Sequence, residues 1–526
     1  MHKRAPVLRP RKGGPSSDAL KSSSTAFKAS SSRGAGSRSN GEKSSNVLPF
    51  IFGILLFIIV GCVIYENRDP NVSGSTLLAS EISSLTKSVH VDKTMMKAPS
   101  SELNHTNEQK KQKHKRVATT TDAQSDEEPT HHLIFSTDCS SFQHWQSYLL
   151  FHSALKVHQP GTVTRIASGC NDADSEKTKA WHEEHITQVM GPQFKLHLTP
   201  HFSGVKDADG NVVGDYKFFN KPFGLKHWLE YAEGLDLVKN ENDIVILIDP
   251  DMVLLRPITR DFSVARDVVI AKVHQRERKY KVEHGAPFAQ KYGLGSQWRT
   301  FDLDAIAGED SPAKDVSHSD GNTFYPVGPP YIGTVRDMHS IALKWTEFVP
   351  RVHKQYPHLL AEMYAFCIAA AHLGLKHQLV DSLMISNVSC GGEGWPMIDE
   401  ITTDKVDSLC TYASQPDHGK FPVPSVIHFC QRYAIGDWFF GKRKMVKDFF
   451  ECESPLMEFP PEDVIEKSLF KHIFNDKEKE LTQVQARREG FMVCGILGAL
   501  NDAATFFKEH SCNGDASYAK TVNLNK

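Results

Sequence analysis

No Cys-x-x-Cys pair occurs in this chain of 526 residues, which excludes the usual structural zinc site, whose ligands come in such pairs. A basic excess is missing too. The 61 Lys and Arg stand against 63 Asp and Glu, a net charge of −2, whereas a nucleic-acid binder ordinarily carries a marked positive surplus. No internal repeat is visible. With 40% hydrophobic and 24% charged residues, the chain has the material for one large core or two smaller ones.

What charge there is lies unevenly. Residues 1–43 hold ten Lys or Arg against Asp18 and Glu42, in a Ser/Gly/Pro-rich background that cannot bury a core. Residues 1–46 therefore read as a disordered basic tail. Val47 to Tyr65, "VLPFIFGILLFIIVGCVIY", follows without a charge; at ~1.5 Å per residue its length is ~28 Å, close to the ~30 Å of bilayer hydrocarbon. It starts too late for a cleaved signal peptide and reads as a retained signal-anchor helix over residues 47–65. The basic flank keeps the N-terminal side cytosolic, so a type II topology is expected, with everything after Glu66 in the lumen of the Golgi or ER. The tripeptides at Asn71, Asn104 and Asn387 are N-glycosylation acceptors. Nine of ten Cys lie beyond the span, six of them from Cys390 onward, and in an oxidising compartment most are expected to pair, with at least one left over.

Residues 66–130 are rich in Ser, Thr, Lys, Glu and Gln and read as a solvated stem. Regular structure is expected from "HLIFSTDC", a strand ending at Asp138. The order then predicted is a helix in "SFQHWQSYLLFHSALKVH", a strand "TVTRIAS", a polar helix from about Ser175 to Thr187, a strand "FKLHLTP", and a helix "FFNKPFGLKHWLEYAEG". A fourth strand is "DIVILID", and "DVVIAKVHQ" reads as another. Residues 301–322 read as an acidic loop, "HSIALKWTEFV" and "LLAEMYAFCIAAAHLG" as helices, and "PSVIHFC" as a late strand. Strands alternating with helices predict a parallel sheet covered on both faces, with ligands bound beyond the carboxyl ends of the strands.

The fourth strand ends in Asp249-Pro250-Asp251, where that rule puts a ligand. A carboxylate is costly to desolvate unless a cation or hydrogen bonds offset it. Three readings compete: a turn with Asp and Pro as breakers, the Asp-x-Asp nucleophile motif of a dehalogenase-type phosphatase, or a nucleotide-sugar transferase whose acidic pair holds Mn²⁺ or Mg²⁺ against the departing diphosphate. A dehalogenase nucleophile opens its domain on the first strand, whereas three strand–helix units precede Asp249, which counts against the phosphatase.

Farther on, "VIHFCQRYAIGDWFFGKRKMVKDFFECESPL", Val426 to Leu456, resembles the C-terminal block of the plant and algal group of hydroxyproline O-arabinosyltransferases and peptidyl serine α-galactosyltransferases. Asn220-Lys221-Pro222 with Trp228-Leu229, the Asp-Pro-Asp motif, Glu362 to Ala365 and "FMVCGILGALNDAATFFKEHSC" match the same group. The resemblance runs from about His132 to Cys512. It implies an α/β, GT-A-like Rossmann-type fold over residues 131–512, with 513–526 as a tail. It also implies a UDP-sugar donor, Mn²⁺ or Mg²⁺ on Asp249 and Asp251, and His428 from the late strand as a third ligand, which an imidazole suits. Lys221, Arg432 and Lys442 are candidates to answer the negative charge that develops on the diphosphate. Both named activities retain anomeric configuration, and Glu362 is the candidate nucleophile or polariser of the acceptor hydroxyl. The expected acceptor is a hydroxyproline- or serine-rich secretory polypeptide and the expected sugar arabinofuranose or galactose. A non-catalytic luminal sugar-binding or scaffold protein of the same fold is the alternative from another class.

Overall fold

The computed structural model describes residues 128–524, apart from 238–239, 275, 403–404, 447–448, 462, 468–470, 475–476 and 515. The basic tail, the apolar span, the acceptor tripeptides at Asn71 and Asn104 and nearly all of the stem lie outside the described residues.

The chain enters as β1 (His131–Asp138), α1 (Phe142–Lys156), β2 (Thr162–Ser168), α2 (Asp172–His182) and β3 (Phe194–Thr199), then a small hairpin of β4 (Gly204–Lys206) and β5 (Val212–Asp215). Next come α3 (Asn220–Tyr231), β6 (Ile244–Ile248), β7 (Met252–Leu254), β8 (Phe288–Lys291) and β9 (Val327–Thr334). Two helices follow, α4 (Val335–Gln355) and α5 (Ala361–His372), then β10 (Gln378–Val380), β11 (Met384–Ile385), β12 (Val426–His428), the hairpin β13 (Arg432–Ile435) and β14 (Trp438–Gly441), and the long α6 (Gln483–Ser511). Seven strands form the main sheet in the order β10-β8-β9-β6-β1-β2-β3.

The central strand β6, Ile-Val-Ile-Leu-Ile, is apolar throughout and buried because both faces are covered. Along β1, Leu133 and Phe135 point into one core with α1 and α6, while Ile134 points into the other with α3, α4 and α5. Along β6, Ile244, Ile246 and Ile248 take the first face, and Val245 and Leu247 the second. That alternation is the two-residue period of a strand, and each fully buried Ile or Leu contributes ~1.5–3 kcal/mol. α1, α3 and α5 form where the apolar pattern placed them. α2 begins earlier than expected, because the Asn171 side chain caps it by accepting from Asp174 N–H.

The sheet is mixed rather than all parallel. β1 runs parallel to β2 and β6, but β9 is antiparallel to both β6 and β8. "DVVIAKVHQ" is not a strand: Ala265–Asp267 and Lys272–His274 are single 3₁₀ turns, joined to the sheet by an isolated bridge from Ile270 to Val380. Residues 301–322 are not one loop but contain the short helices Leu303–Ala307 and His318–Phe324, each capped by an Asp or Ser side chain. Residues 513–526 are tied to the body at Thr521–Val522, which pairs with Leu456–Met457.

α6 is long and apolar enough to cross a membrane, yet most of it is buried against the fold. Cys410–Cys494 staples it to the helix Leu409–Ser414, and Cys452–Cys512 ties its end. At Gly498 a Cβ would meet Ser414 O at 2.3 Å, so only glycine permits this approach. Cys139–Cys170 joins the ends of β1 and β2. Six of the nine Cys beyond the span are thus paired, and Cys367 is a buried thiol.

Candidate active site

Asp249-Pro250-Asp251 is the corner where the chain leaves β6 in the main sheet and enters β7 in a second, three-stranded sheet of order β11-β12-β7. β12 is antiparallel to β7 with His428 opposite Met252, and Phe429 N–H donates to Asp251 O at 3.0 Å. This register carries His428 to the acidic corner. Its Nε2 lies 3.2 Å from Asp251 Oδ1 and 3.9 Å from Asp249 Oδ2.

The outer oxygens of the two carboxylates face lysines. Lys221 Nζ, in the first turn of α3, sits 2.7 Å from Asp249 Oδ1 and 2.8 Å from Glu362 Oε1 in the first turn of α5. Lys442 Nζ, just after β14, is 2.5 Å from Asp251 Oδ2. Burial opposes the charge on Lys221, but Asp249 and Glu362 more than offset it and hold the ammonium above its ordinary pKa. Burial would raise Asp251, but His428 and Lys442 bring it well below the carboxylate range. For Glu362 burial wins over Lys221, and its pKa is raised.

Glu362 is held by its backbone as well as its side chain. Its N–H donates to Tyr216 Oη at 3.1 Å and its carbonyl accepts from Trp345 Nε1 at 2.7 Å. Glu362 Oε2 is buried and has no hydrogen-bond partner among the described residues, an acceptor left unsatisfied where most buried polar atoms are paired.

Of the seven residues singled out from the sequence, the structure brings six together: Asp249, Asp251, His428, Lys221, Lys442 and Glu362. Arg432 is exposed at the start of β13, paired across the hairpin with Gly441 beside Lys442; no described hydrogen bond or ion pair joins it to the carboxylates. Tyr292, Tyr216 and Tyr433 belong to the surroundings but were missed. Tyr292 Oη donates to Pro329 O at 3.1 Å and lies 3.5 Å from His428 Nδ1, and Tyr433 Oη bonds His428 O at 3.0 Å. A lone Tyr after a short strand carries no sequence signal for this.

Two carboxylates and an imidazole, each offering one ligand atom within 4.8 Å of the others, suit a hard divalent cation such as Mn²⁺. At the carboxyl ends of β1 and β2 is a hollow of about 280 Å³ lined by Asp138, Ser140, Ser168, His201, Lys217 and Asn220 among others. The hollow and the cation-competent acidic corner both lie at carboxyl ends of strands in a covered α/β sheet, where such sheets bind their ligands.

Curated galactosyltransferases resemble the chain. The chain is 26% identical over 345 residues to a peptidyl serine alpha-galactosyltransferase of Arabidopsis thaliana, a match covering 62% of this chain and 34% of that protein. It is 29% identical over 127 residues to a protein of the same name from Chlamydomonas reinhardtii, covering 24% of this chain and 14% of that one. The family resemblance drawn from the motifs is borne out by both. The chain spans about a third of the length of the first relative and about a seventh of the second. No family model matches. Among solved structures, the WbbM bifunctional glycosyltransferase overlaps 59% of this chain and 47% of its own at 10% identity and a TM-score of 0.28. The galactosyltransferase LgtC overlaps 58% of this chain and 89% of its own at 11% identity and a TM-score of 0.30. The fold assignment rests on the chain's own strand order, not on those overlaps.

Proposed function

We propose that this chain is a type II membrane glycosyltransferase of the Golgi or ER, transferring galactose or arabinofuranose from a UDP-sugar to a serine or hydroxyproline hydroxyl in a secretory polypeptide, with retention of configuration. The observation that carries this reading is the junction of two charged clusters: the Asp249–Asp251–His428 triad and, through Lys221, the buried Glu362.

In this reading the nucleoside occupies the hollow at the ends of β1 and β2, and the diphosphate extends toward the acidic corner. As the sugar leaves, negative charge grows on the diphosphate and positive charge on the anomeric carbon. Lys442 answers the first from one side, and Arg432, opposite Gly441 on the same hairpin, is the candidate second cation. Asp249 Oδ2, Asp251 Oδ1 and His428 Nε2 would hold the cation, which supplies further charge neutralisation when bound. Lys221 orients Glu362 through Oε1 and leaves Oε2 for the reacting sugar or the acceptor hydroxyl. The domain limits 131–512 and the anchor over residues 47–65 belong to the same proposal.

The purified full-length protein is expected to hydrolyse UDP-sugars slowly in Mn²⁺ and to stop in EDTA. Absence of metal-dependent binding to any UDP-sugar would favour the scaffold reading instead.

A further inference from the structure

The two lysines at the acidic corner are built differently. Lys221 is fixed: its side chain is 11% exposed, it is rooted in α3, and two carboxylates hold its ammonium. Lys442 stands on the 3₁₀ turn Lys442–Lys444, none of whose residues is buried. Its side chain is 29% exposed, and Asp251 is its one hydrogen-bond partner among the described residues.

We infer that Lys442 is a switching cation that couples metal binding to nucleotide binding; the inference rests on the transferase reading above. With no diphosphate bound, the ammonium on Asp251 Oδ2 withdraws charge from the carboxylate whose other oxygen faces His428, and a divalent cation entering there meets a like charge close by. A diphosphate offers the Lys442 ammonium a doubly or triply charged partner. Lys442 then leaves Asp251, whose full charge becomes available to the cation. Each ligand thereby strengthens the other by the same factor, as linkage requires. Lys221 does not exchange in this way, because leaving Asp249 would strand its ammonium and Glu362 in the core. Arg443 and Lys444 follow on the same turn, none of whose residues is buried, so the charge that a diphosphate would meet there is that of a short basic segment.

The test is calorimetry on the full-length protein with Mn²⁺ alone, UDP alone and Mn²⁺ at saturating UDP. In the wild type, UDP is expected to raise Mn²⁺ affinity about tenfold or more, within the 5–150-fold usual for coupled sites. Lys442→Gln is expected to bind Mn²⁺ alone about tenfold more tightly than wild type, to bind UDP more weakly, and to lose the same factor of enhancement. Lys442→Arg, which keeps the charge, should restore the wild-type pattern. An unchanged or weaker affinity of Lys442→Gln for Mn²⁺ alone overturns the coupling, as does a wild type in which UDP leaves Mn²⁺ affinity unaltered; the latter needs no variant to fold. Asp251→Asn separates the two levels. If it still binds Mn²⁺ like wild type, the metal site itself is refuted; if it loses Mn²⁺ while Lys442→Gln changes nothing, the coupling alone is.

Discussion

Replacing Lys221 by Met nearly keeps the volume of the side chain, one atom shorter, and removes the charge shared by Asp249 and Glu362. Breaking a buried ion pair by deleting one partner costs about 3–5 kcal/mol, because the remaining charge is left uncompensated. Here two carboxylates are stranded. Glu362 is 4% exposed, but Asp249 is 17% exposed and reaches water in part, which argues for the lower end, about 3 kcal/mol at pH 8. The loss should depend on pH in a definite direction. Glu362 already has a raised pKa from burial, and without Lys221 it rises further, so the folded variant binds a proton that the unfolded chain releases above its ordinary ~4.5. Stability then falls as pH increases through the window between the unfolded and folded pKa. Urea unfolding of wild type and Lys221→Met, compared at pH 5 and pH 8, reads this directly: a deficit that is small at pH 5 and grows toward pH 8. A deficit below about 1 kcal/mol at both values, with no trend, would refute the claim that Lys221 neutralises a buried pair.

Asp251→Asn and Asp249→Asn are each expected to abolish transfer in a protein that still folds, with a melting temperature of the metal-free protein that falls because each change takes a carboxylate from a lysine ammonium, but by less than in Lys221→Met, which strands two carboxylates; wild-type rates at limiting Mn²⁺ in both would return the motif to a plain turn. His428→Ala should raise the Mn²⁺ concentration for half-maximal activity about tenfold or more, the scale of losses at metal-site residues, and an unchanged Mn²⁺ dependence with a destabilised protein would remove His428 from the site. Replacing Cys410 and Cys494 by Ser opens a loop closed across 84 residues, for which chain entropy gives a loss of about 4–5 kcal/mol; a urea midpoint within error of the wild type would show that packing of α6, not the cross-link, sets its stability.

How far the sequence reached depends on how local the determinants are. β1 was legible from its apolar run and β2 and β3 from short segments of Val, Ile, Leu and Phe interleaved with polar residues between turns, and α5 because eight of its twelve residues are Ala, Met, Phe or Ile. β8 was missed: "FAQK" has four residues and no β-branched side chain, and only its neighbours β9 and β10 make it a strand. The Val-Val-Ile of "DVVIAKVHQ" has strand propensity, but its backbone reaches the sheet at single points such as Ala271 N–H to Leu379 O, and tertiary context overrode the propensity. β9 hid behind Gly-Pro-Pro, which reads as a turn, although all eight of its residues are buried. The antiparallel insertion cannot be read locally either, since β6 and β9 pair across some eighty residues of chain. At the site, Asp249 and Asp251 were visible because carboxylates at the end of an apolar strand conflict with their surroundings. The Lys221–Glu362 contact joins residues 141 apart, and the pairing of Lys442 with Asp251 spans 191; neither pairing is legible in the sequence, which offers the lysines only as cations for the diphosphate and Glu362 only as a catalytic carboxylate.

The most direct test of the central claim is product analysis. The full-length protein is incubated with UDP-galactose or UDP-arabinofuranose, Mn²⁺ and serine-rich or hydroxyproline-rich peptides, and the peptides are examined by mass spectrometry for one added hexose or pentose. The account predicts a glycosylated peptide with at least one donor and acceptor pair, lost in EDTA and absent with Asp251→Asn. No modified peptide from any pair, with a folded protein that also fails to bind UDP in Mn²⁺, would contradict it.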